Sequence, residues 1–132
     1  MTRVYLAGAV ELVGLHYANK WRDKVRQLAD EFTGWQPVDP LLWEDPQGPW
    51  NDEQIVNTDR YLLNQCDAVL VDGRQPGWGT AMEIAWAHAD RKPIVVWGVS
   101  REKASVFLRH HATLFEENLT DAVLRVGELS LE

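Results

Sequence analysis

Three short runs in this chain are apolar at almost every position: Arg3–Gly8 (RVYLAG), Cys66–Val71 (CDAVLV) and Lys92–Trp97 (KPIVVW). A strand with one wet face alternates apolar and polar residues. Runs like these therefore belong to strands buried on both faces, as in a parallel sheet covered by helices on either side. The segments between them supply the helices. From His16 to Phe32 the residues Ala18, Trp21, Val25, Leu28 and Phe32 recur at spacings of three and four, with Lys20, Arg22, Lys24 and Arg26 between them on the side expected to face solvent. Asn51 opens a second helical stretch to about Gln65, where Asp52 and Glu53 suit the positive end of a helix. Thr80–Arg91, Ser100–Arg109 and Leu119–Leu129 complete the set, the last capped by Asn118 or Thr120. Trp35–Val38 and Ala112–Phe115 read as two further strands. The expected fold is α/β: a single doubly wound, flavodoxin-like or Rossmann-like three-layer domain over residues 1–132, with a mainly parallel five-stranded sheet.

In such sheets ligands bind beyond the carboxyl ends of the strands, where the strand order reverses. The loops after Gly8, Val38 and Val71 are therefore expected to carry a site. Pro37, Pro40, Pro46 and Pro49 make the second of these long and irregular, and a loop of that kind in a small domain is commonly functional. Composition narrows the partner. A formal charge of −7 argues against wrapping long nucleic acid, whose affinity comes from clustered Lys and Arg, and favours a small molecule. No apolar stretch reaches the roughly 20 residues needed to cross a bilayer. The single cysteine, Cys66, can form no internal disulfide, and charged Arg3 followed by a strand-like run is unlike a signal peptide, so a cytoplasmic location is expected. Seven tryptophans are many for 132 residues. Most read as core, but Trp43, Trp50 and Trp78 sit among Pro, Gly and Asp, where aromatics more often line pockets.

Two carboxylates stand out. Asp59 falls on the inward stripe of its helix with Ile55, Leu62 and Cys66, where an acid is either paired, for instance with Arg74 or a tyrosine hydroxyl, or held for chemistry. Glu83 sits in the first turns of a helix that follows the Gly/Pro loop Asp72–Gly79, among small and apolar neighbours. Each alone has a structural explanation. Together, flanking one predicted crevice, they are the minimal equipment for glycosidic chemistry, one as nucleophile and one as acid or base. Other groups carry less. His110 and His111 are adjacent with no third ligand at metal spacing, Cys66 reads as a small core residue, and the glycines match neither a P-loop nor a dinucleotide fingerprint. No metal and no cofactor are expected.

VYLAG at Val4–Gly8, NTD at Asn57–Asp59, CDAVLVDG at Cys66–Gly73 and GWGTAMEIAWA at Gly77–Ala87 resemble the nucleoside 2-deoxyribosyltransferase family, which includes deoxynucleoside 5'-monophosphate N-hydrolases. The likeness runs from Arg3 to about Phe115. It implies that Glu83 is the nucleophile, that Asp59 exchanges a proton with the nucleobase, and that Tyr5 holds the nucleophile in place. It also implies that Gly8 and Gly79 let backbone approach the ligand. Gly77, Trp78, Met82 and Trp50 join them as expected substrate contacts, the tryptophans by stacking on the base.

Position 77 departs from the family pattern. Enzymes acting on free nucleosides often carry Asp six residues before the nucleophile, and the nucleotide hydrolases carry Ser; here the residue is Gly77. Without the Asp a 5'-phosphate meets less repulsion, and Lys20, Arg22 or Arg74 could attract it. The expected activity is transfer of deoxyribose from a deoxynucleoside to another nucleobase. Hydrolysis of a nucleoside 5'-monophosphate is the first alternative, and a non-catalytic nucleotide-sensing module the second. The resemblance further implies a homo-oligomer with a shared active site.

Overall fold

A computed structural model of the chain describes residues 1–43 and 50–131. Five strands, β1 (Arg3–Ala7), β2 (Gln36–Val38), β3 (Ala68–Asp72), β4 (Ile94–Trp97) and β5 (Leu114–Glu116), alternate with five helices. These are α1 (Leu15–Phe32), α2 (Asp52–Asn64), α3 (Trp78–Ala89), α4 (Val106–His111) and α5 (Leu119–Ser130). The strands pair in the order β2-β1-β3-β4-β5 and every pairing is parallel. The order reverses between β1 and β3, so the crevice for a ligand opens beyond Ala7 and Asp72.

Each central strand is buried on both faces, which is why its sequence shows no polar alternation. Period-two geometry sends Val4, Leu6, Ala68, Leu70 and Val95 toward one layer, where they meet Trp21, Val25 and Leu28 of α1 and Ala122, Val123 and Val126 of α5. Tyr5, Ala7, Val69, Val71 and Val96 point the other way, onto Leu62 and Leu63 of α2 and Ile84 and Ala87 of α3. Tyr5 therefore leaves β1 on the same side as Asp59 and Glu83.

Several boundaries differ from the sequence reading. Gly77, in extended backbone, is the N-cap of α3, so Trp78 and Gly79 form its first turn rather than a loop, and Glu83 falls in the second. Residues 100–104 make turns, and α4 begins only after Ser105, whose side chain accepts from the Leu108 N–H. Pro37 lies inside β2, tolerated because β2 is an edge strand. Pro40 opens a short 3-10 turn capped by the Asp39 carboxylate. The loop prolines Pro46 and Pro49 lie outside the described residues. Asn51 caps α2 in a reciprocal box with Gln54, and Asn118, not Thr120, caps α5. Phe32 is exposed; the buried stripe of α1 ends at Ala29. Among the described residues no helix is long and apolar enough to cross a membrane.

Candidate active site

α3 turns one narrow stripe inward, Thr80, Glu83, Ile84 and Ala87, at the three-and-four spacing of a helix face. Ile84 and Ala87 fill the core. Glu83 meets the middle of β1, where the fully buried Tyr5 donates a hydrogen bond from its hydroxyl to the Glu83 carboxylate. Burial is the largest influence on Glu83 and pushes its pKa up to about 8. The Tyr5 hydrogen bond and the Arg22 charge pull it back toward ionisation, while Asp59 opposes them. Tyr5 itself is held far above its ordinary value by burial, then by the nearby charges of Glu83 and Asp59, so the phenol stays a neutral donor.

Asp59 is part-buried on α2 and lines the same cavity as Glu83, with a volume of about 350 Å³, within the range of small-molecule sites. Gly8 and Gly77 line it at the ends of the strand and loop that frame it, and Trp78, Gly79 and Met82 from the first turns of α3. Trp78 is 82% exposed, leaving its indole open to a partner at the mouth. Gly8 is needed for packing, since a Cβ there would stand 2.9 Å from the Trp21 ring and 3.2 Å from Asp72 Cβ. At Gly79 the same atom would meet open space.

Trp50 is not brought to this cavity. It lines a separate groove on the outer face of α2 with Asn57, Thr58 and Tyr61, because Ile55 and Asp59 occupy the inner face. Trp43 is exposed and does not line the cavity either. Arg74, considered above as a partner for Asp59 or a phosphate, forms a two-pronged pair with Asp72 at 2.9 Å and lies over the Tyr17 and Trp97 rings. Lys20 is exposed on α1, away from the cavity lining.

Arg22 overturns its sequence reading most clearly. It is 1% exposed, and its guanidinium donates to the carbonyls of Ala18, Leu6 and Gly8. Its Nε stands 3.3 Å from Asp39 Oδ1, near enough for an ion pair though off line for a hydrogen bond. Asp39 is equally buried and also takes Arg26 at 2.8 Å. The signal was present: Arg22 is four residues after Ala18 and three before Val25, on the apolar stripe rather than beside it. Thr80, three residues before Glu83 on the stripe of α3, was missed as well.

The remaining reactive groups have structural surroundings. Cys66 is buried, its thiol donates to the Leu62 carbonyl, and burial pushes its pKa up to about 12, so it offers no thiolate. Folding adds His88 to His110 and His111, with ring centroids 4.7 to 5.3 Å apart. Among the described residues no group of three or more His, Cys, Asp or Glu is placed to hold a metal ion.

The arrangement can do one thing directly. A carboxylate fixed by a phenol, facing a cavity that a second carboxylate also lines, can attack an electrophilic carbon while the other acid manages a proton.

The sequence pattern of the nucleoside 2-deoxyribosyltransferase family matches residues 4–121. No curated protein sequence matches the chain. Among solved structures, the chain is similar to a 2-deoxyribosyltransferase from Bacillus psychrosaccharolyticus, with a TM-score of 0.74 and 15% identity over 92% of this chain and 90% of that one. A conserved protein from Enterococcus faecalis superposes with a TM-score of 0.70 at 18% identity, covering 97% of this chain and 98% of that one. A CMP N-glycosidase from Clostridium botulinum gives a TM-score of 0.63 at 18% identity, covering 95% and 98%. At these identities the structural likenesses speak for the fold.

Proposed function

The chain belongs to the nucleoside 2-deoxyribosyltransferase family, and from that premise we propose that it moves the 2-deoxyribosyl group of a deoxynucleoside to another nucleobase through an ester on Glu83. The observation that carries this reading is the buried Tyr5–Glu83 hydrogen bond at the wall of a cavity that Asp59 also lines. A Glu Oε attacks C1' while the C1'–N bond breaks and the Asp59 proton goes to the departing base. The incoming base then attacks C1' through its own nitrogen, the ester C–O bond breaks to free Glu83, and Asp59 receives the incoming proton. Two displacements on one carbon retain its configuration.

Tyr5 orients the nucleophile and favours its ionised form; Arg22, whose charge acts on Glu83, adds to this from behind. Trp78 and Met82 are the proposed walls for the base, and Gly8, Gly77 and Gly79 the proposed close approaches for backbone. Trp50 is dropped from that set by its position. Water in place of the second base would turn the same intermediate to hydrolysis, the reading closer to the N-glycosidase named among the structural neighbours. A passive nucleotide-sensing module is disfavoured, because two carboxyl groups beside the sugar add nothing to binding an anionic nucleotide.

We further propose a homo-oligomer that completes the pocket, since Val56, Trp78 and Met82 leave a largely apolar rim exposed on α2 and α3. Light scattering at assay concentration gives more than one chain per particle on this reading, and a monomer at full activity contradicts it. The functional test is product chromatography with paired deoxynucleosides and free bases, alongside the 5'-monophosphates. Exchange of bases that vanishes in Glu83→Ala supports the proposal. Base release without exchange moves the assignment to the hydrolase, and activity in Glu83→Ala close to wild type sinks the covalent route.

A further inference from the structure

All five strands run the same way, so the sheet has a second end, away from Glu83, where β4 and β5 begin. An open cleft of about 740 Å³ lies there, between the last turns of α3 and α4, the starts of the two strands and Leu129 of α5. Half of its lining residues are basic or can become so: His88, Arg91, Lys92, His110 and His111. No acid among the described residues lines it, although the chain carries 20 acids and a formal charge of −7. The acids beside it in sequence are Asp90, exposed in the turn after α3, and Glu128 of α5, which pairs with Arg125 at 3.3 Å. Arg109 is turned to the Ala104 carbonyl and is not part of the lining.

Arg91 stands in left-handed backbone, φ 59°, the one non-glycine position among the described residues to do so. Its N–H donates to His88 O and the Lys92 N–H to Ala87 O, which is the helix-closing turn that glycine most often completes. An arginine is strained there. Yet its side chain has no hydrogen bond or ion pair among the described residues, and it lines the cleft. Lys92 differs: its ammonium gives its protons to the carbonyls of Leu63, Asn64 and Cys66 and adds only charge.

The three imidazole rings lie 4.7 to 5.3 Å apart, in the last turns of α3 and α4, whose negative ends suit a cation. His111 Nδ1 is 2.7 Å from Phe107 O, so the neutral ring keeps its proton there and presents Nε2 as an acceptor. Protonation turns that nitrogen into a donor. Imidazolium rings this close repel one another, and an anion shared between them relieves the repulsion.

We propose that this cleft binds a phosphoryl dianion, as free phosphate or a monoester, held by the Arg91 guanidinium and by His88, His110 and His111 in their protonated forms. The site lies at the opposite end of the sheet from the glycosidic chemistry proposed above and does not rest on it. Binding strengthens as pH falls from 8 to 6, within the range where imidazole gains its charge.

The test follows the Cε1–Hε1 signals of the four histidines in the full-length protein by NMR, with His16, on α1 and outside the cleft, as internal control. Sulfate is the probe, because its own charge is the same at pH 6 and pH 8, and sodium chloride holds the ionic strength fixed. The signals of His88, His110 and His111 are expected to shift saturably at pH 6 while His16 stays still, with affinity about tenfold weaker at pH 8. Arg91→Gly removes the guanidinium and relieves the backbone. It is expected to weaken sulfate about tenfold with an unchanged or higher Tm, and His110→Asn, at an exposed ring, to flatten the pH dependence. Inorganic phosphate and glycerol phosphate then compete with sulfate, and the one effective at lower concentration tells whether the site takes the free ion or an ester. Shifts shared by His16, equal affinity at both pH values, wild-type affinity in Arg91→Gly, or displacement by neither phosphate overturns the proposal.

Discussion

Tyr5 and Glu83, 78 residues apart in the chain, meet because β1 turns its odd-numbered side chains toward the layer that α3 occupies. The phenol is buried, stays neutral and can only donate to the carboxylate, so the contact favours the ionised acid against a burial that opposes it.

Tyr5→Phe removes that donor and keeps the ring. The Glu83 pKa, about 8 with the hydrogen bond in place, is then expected to rise further. On the proposed mechanism the ionised carboxylate is the attacking form, so the ascending limb of kcat/KM against pH is expected to move to higher pH, with a loss of roughly 10- to 100-fold at neutral pH that narrows as pH rises. A pH–rate profile checks this. An unchanged limb with a uniform loss would mean that the phenol serves packing alone.

Glu83 also links stability to pH. Its ordinary value is 4.5 and its folded value about 8. Below 4.5 the carboxyl is protonated whether the chain is folded or not. As pH rises from there toward 8, the unfolded chain releases the proton and the folded one keeps it, so stability is lost until Glu83 ionises in the folded protein too. Glu83→Gln is expected to gain on wild type across this window by up to a few kcal/mol, seen in urea unfolding at pH 5 and pH 8.5. A difference that is the same at both pH values contradicts the assignment.

Arg22 and Arg26 share Asp39, but only Arg22 is buried with it. Arg22→Met leaves the Asp39 charge with a single, partly exposed partner and strips three carbonyls of a donor. Its cost is expected to be about 3 kcal/mol, whereas Arg26→Ala, whose guanidinium is already in part solvated, is expected to cost about 1 kcal/mol or less. Comparable losses in chemical denaturation would show that the buried pair has no special weight.

Gly8 and Gly79 are expected to separate packing from approach. Gly8→Ala drives a methyl group against the Trp21 ring and is expected to destabilise by about 1–3 kcal/mol. Gly79→Ala enters open space within the first turn of α3 and is expected to leave stability level or slightly raised. If Gly79→Ala nevertheless raises KM, its methyl group stands where substrate passes; thermal melts and kinetics on both variants read the two effects apart.

The sequence made the sheet legible wherever burial leaves no ambiguity. Val4–Ala7, Ala68–Val71 and Ile94–Trp97 have no wet face, so their apolar runs could be nothing but covered strands. Asp59 was visible as an acid on an inward helical stripe and Glu83 as one among small and apolar neighbours after a Gly/Pro loop, while Tyr5 came from the family likeness alone. Arg22 was misread because charge was taken as a sign of exposure, although its spacing from Ala18 and Val25 put it on the buried stripe. Its neutralising partner, Asp39, comes from a different segment, and helical spacing cannot announce such a pairing. Trp50 was misplaced for a related reason: a loop aromatic carries no information about which side of the next helix it will flank. The start of α3 was set two residues late because Gly77 and Gly79 read as loop, while an uncapped glycine in extended backbone begins a helix without any side-chain signal.

The sheet order has a bearing on how the molecule assembles. The N–H of Arg3 donates to the Asp67 carboxylate, 64 residues on, and the Asp67 N–H returns to the Arg3 carbonyl. The strand made first therefore sits inside the sheet, between β2 and β3, and waits for one made half a chain later. Closing so long a loop costs entropy before any pairing repays it, which is the signature of a slow, nonlocal folding step. Until that closure Tyr5 has no layer to face and Glu83 no phenol to meet. The candidate site and the sheet are thus expected to arrive together.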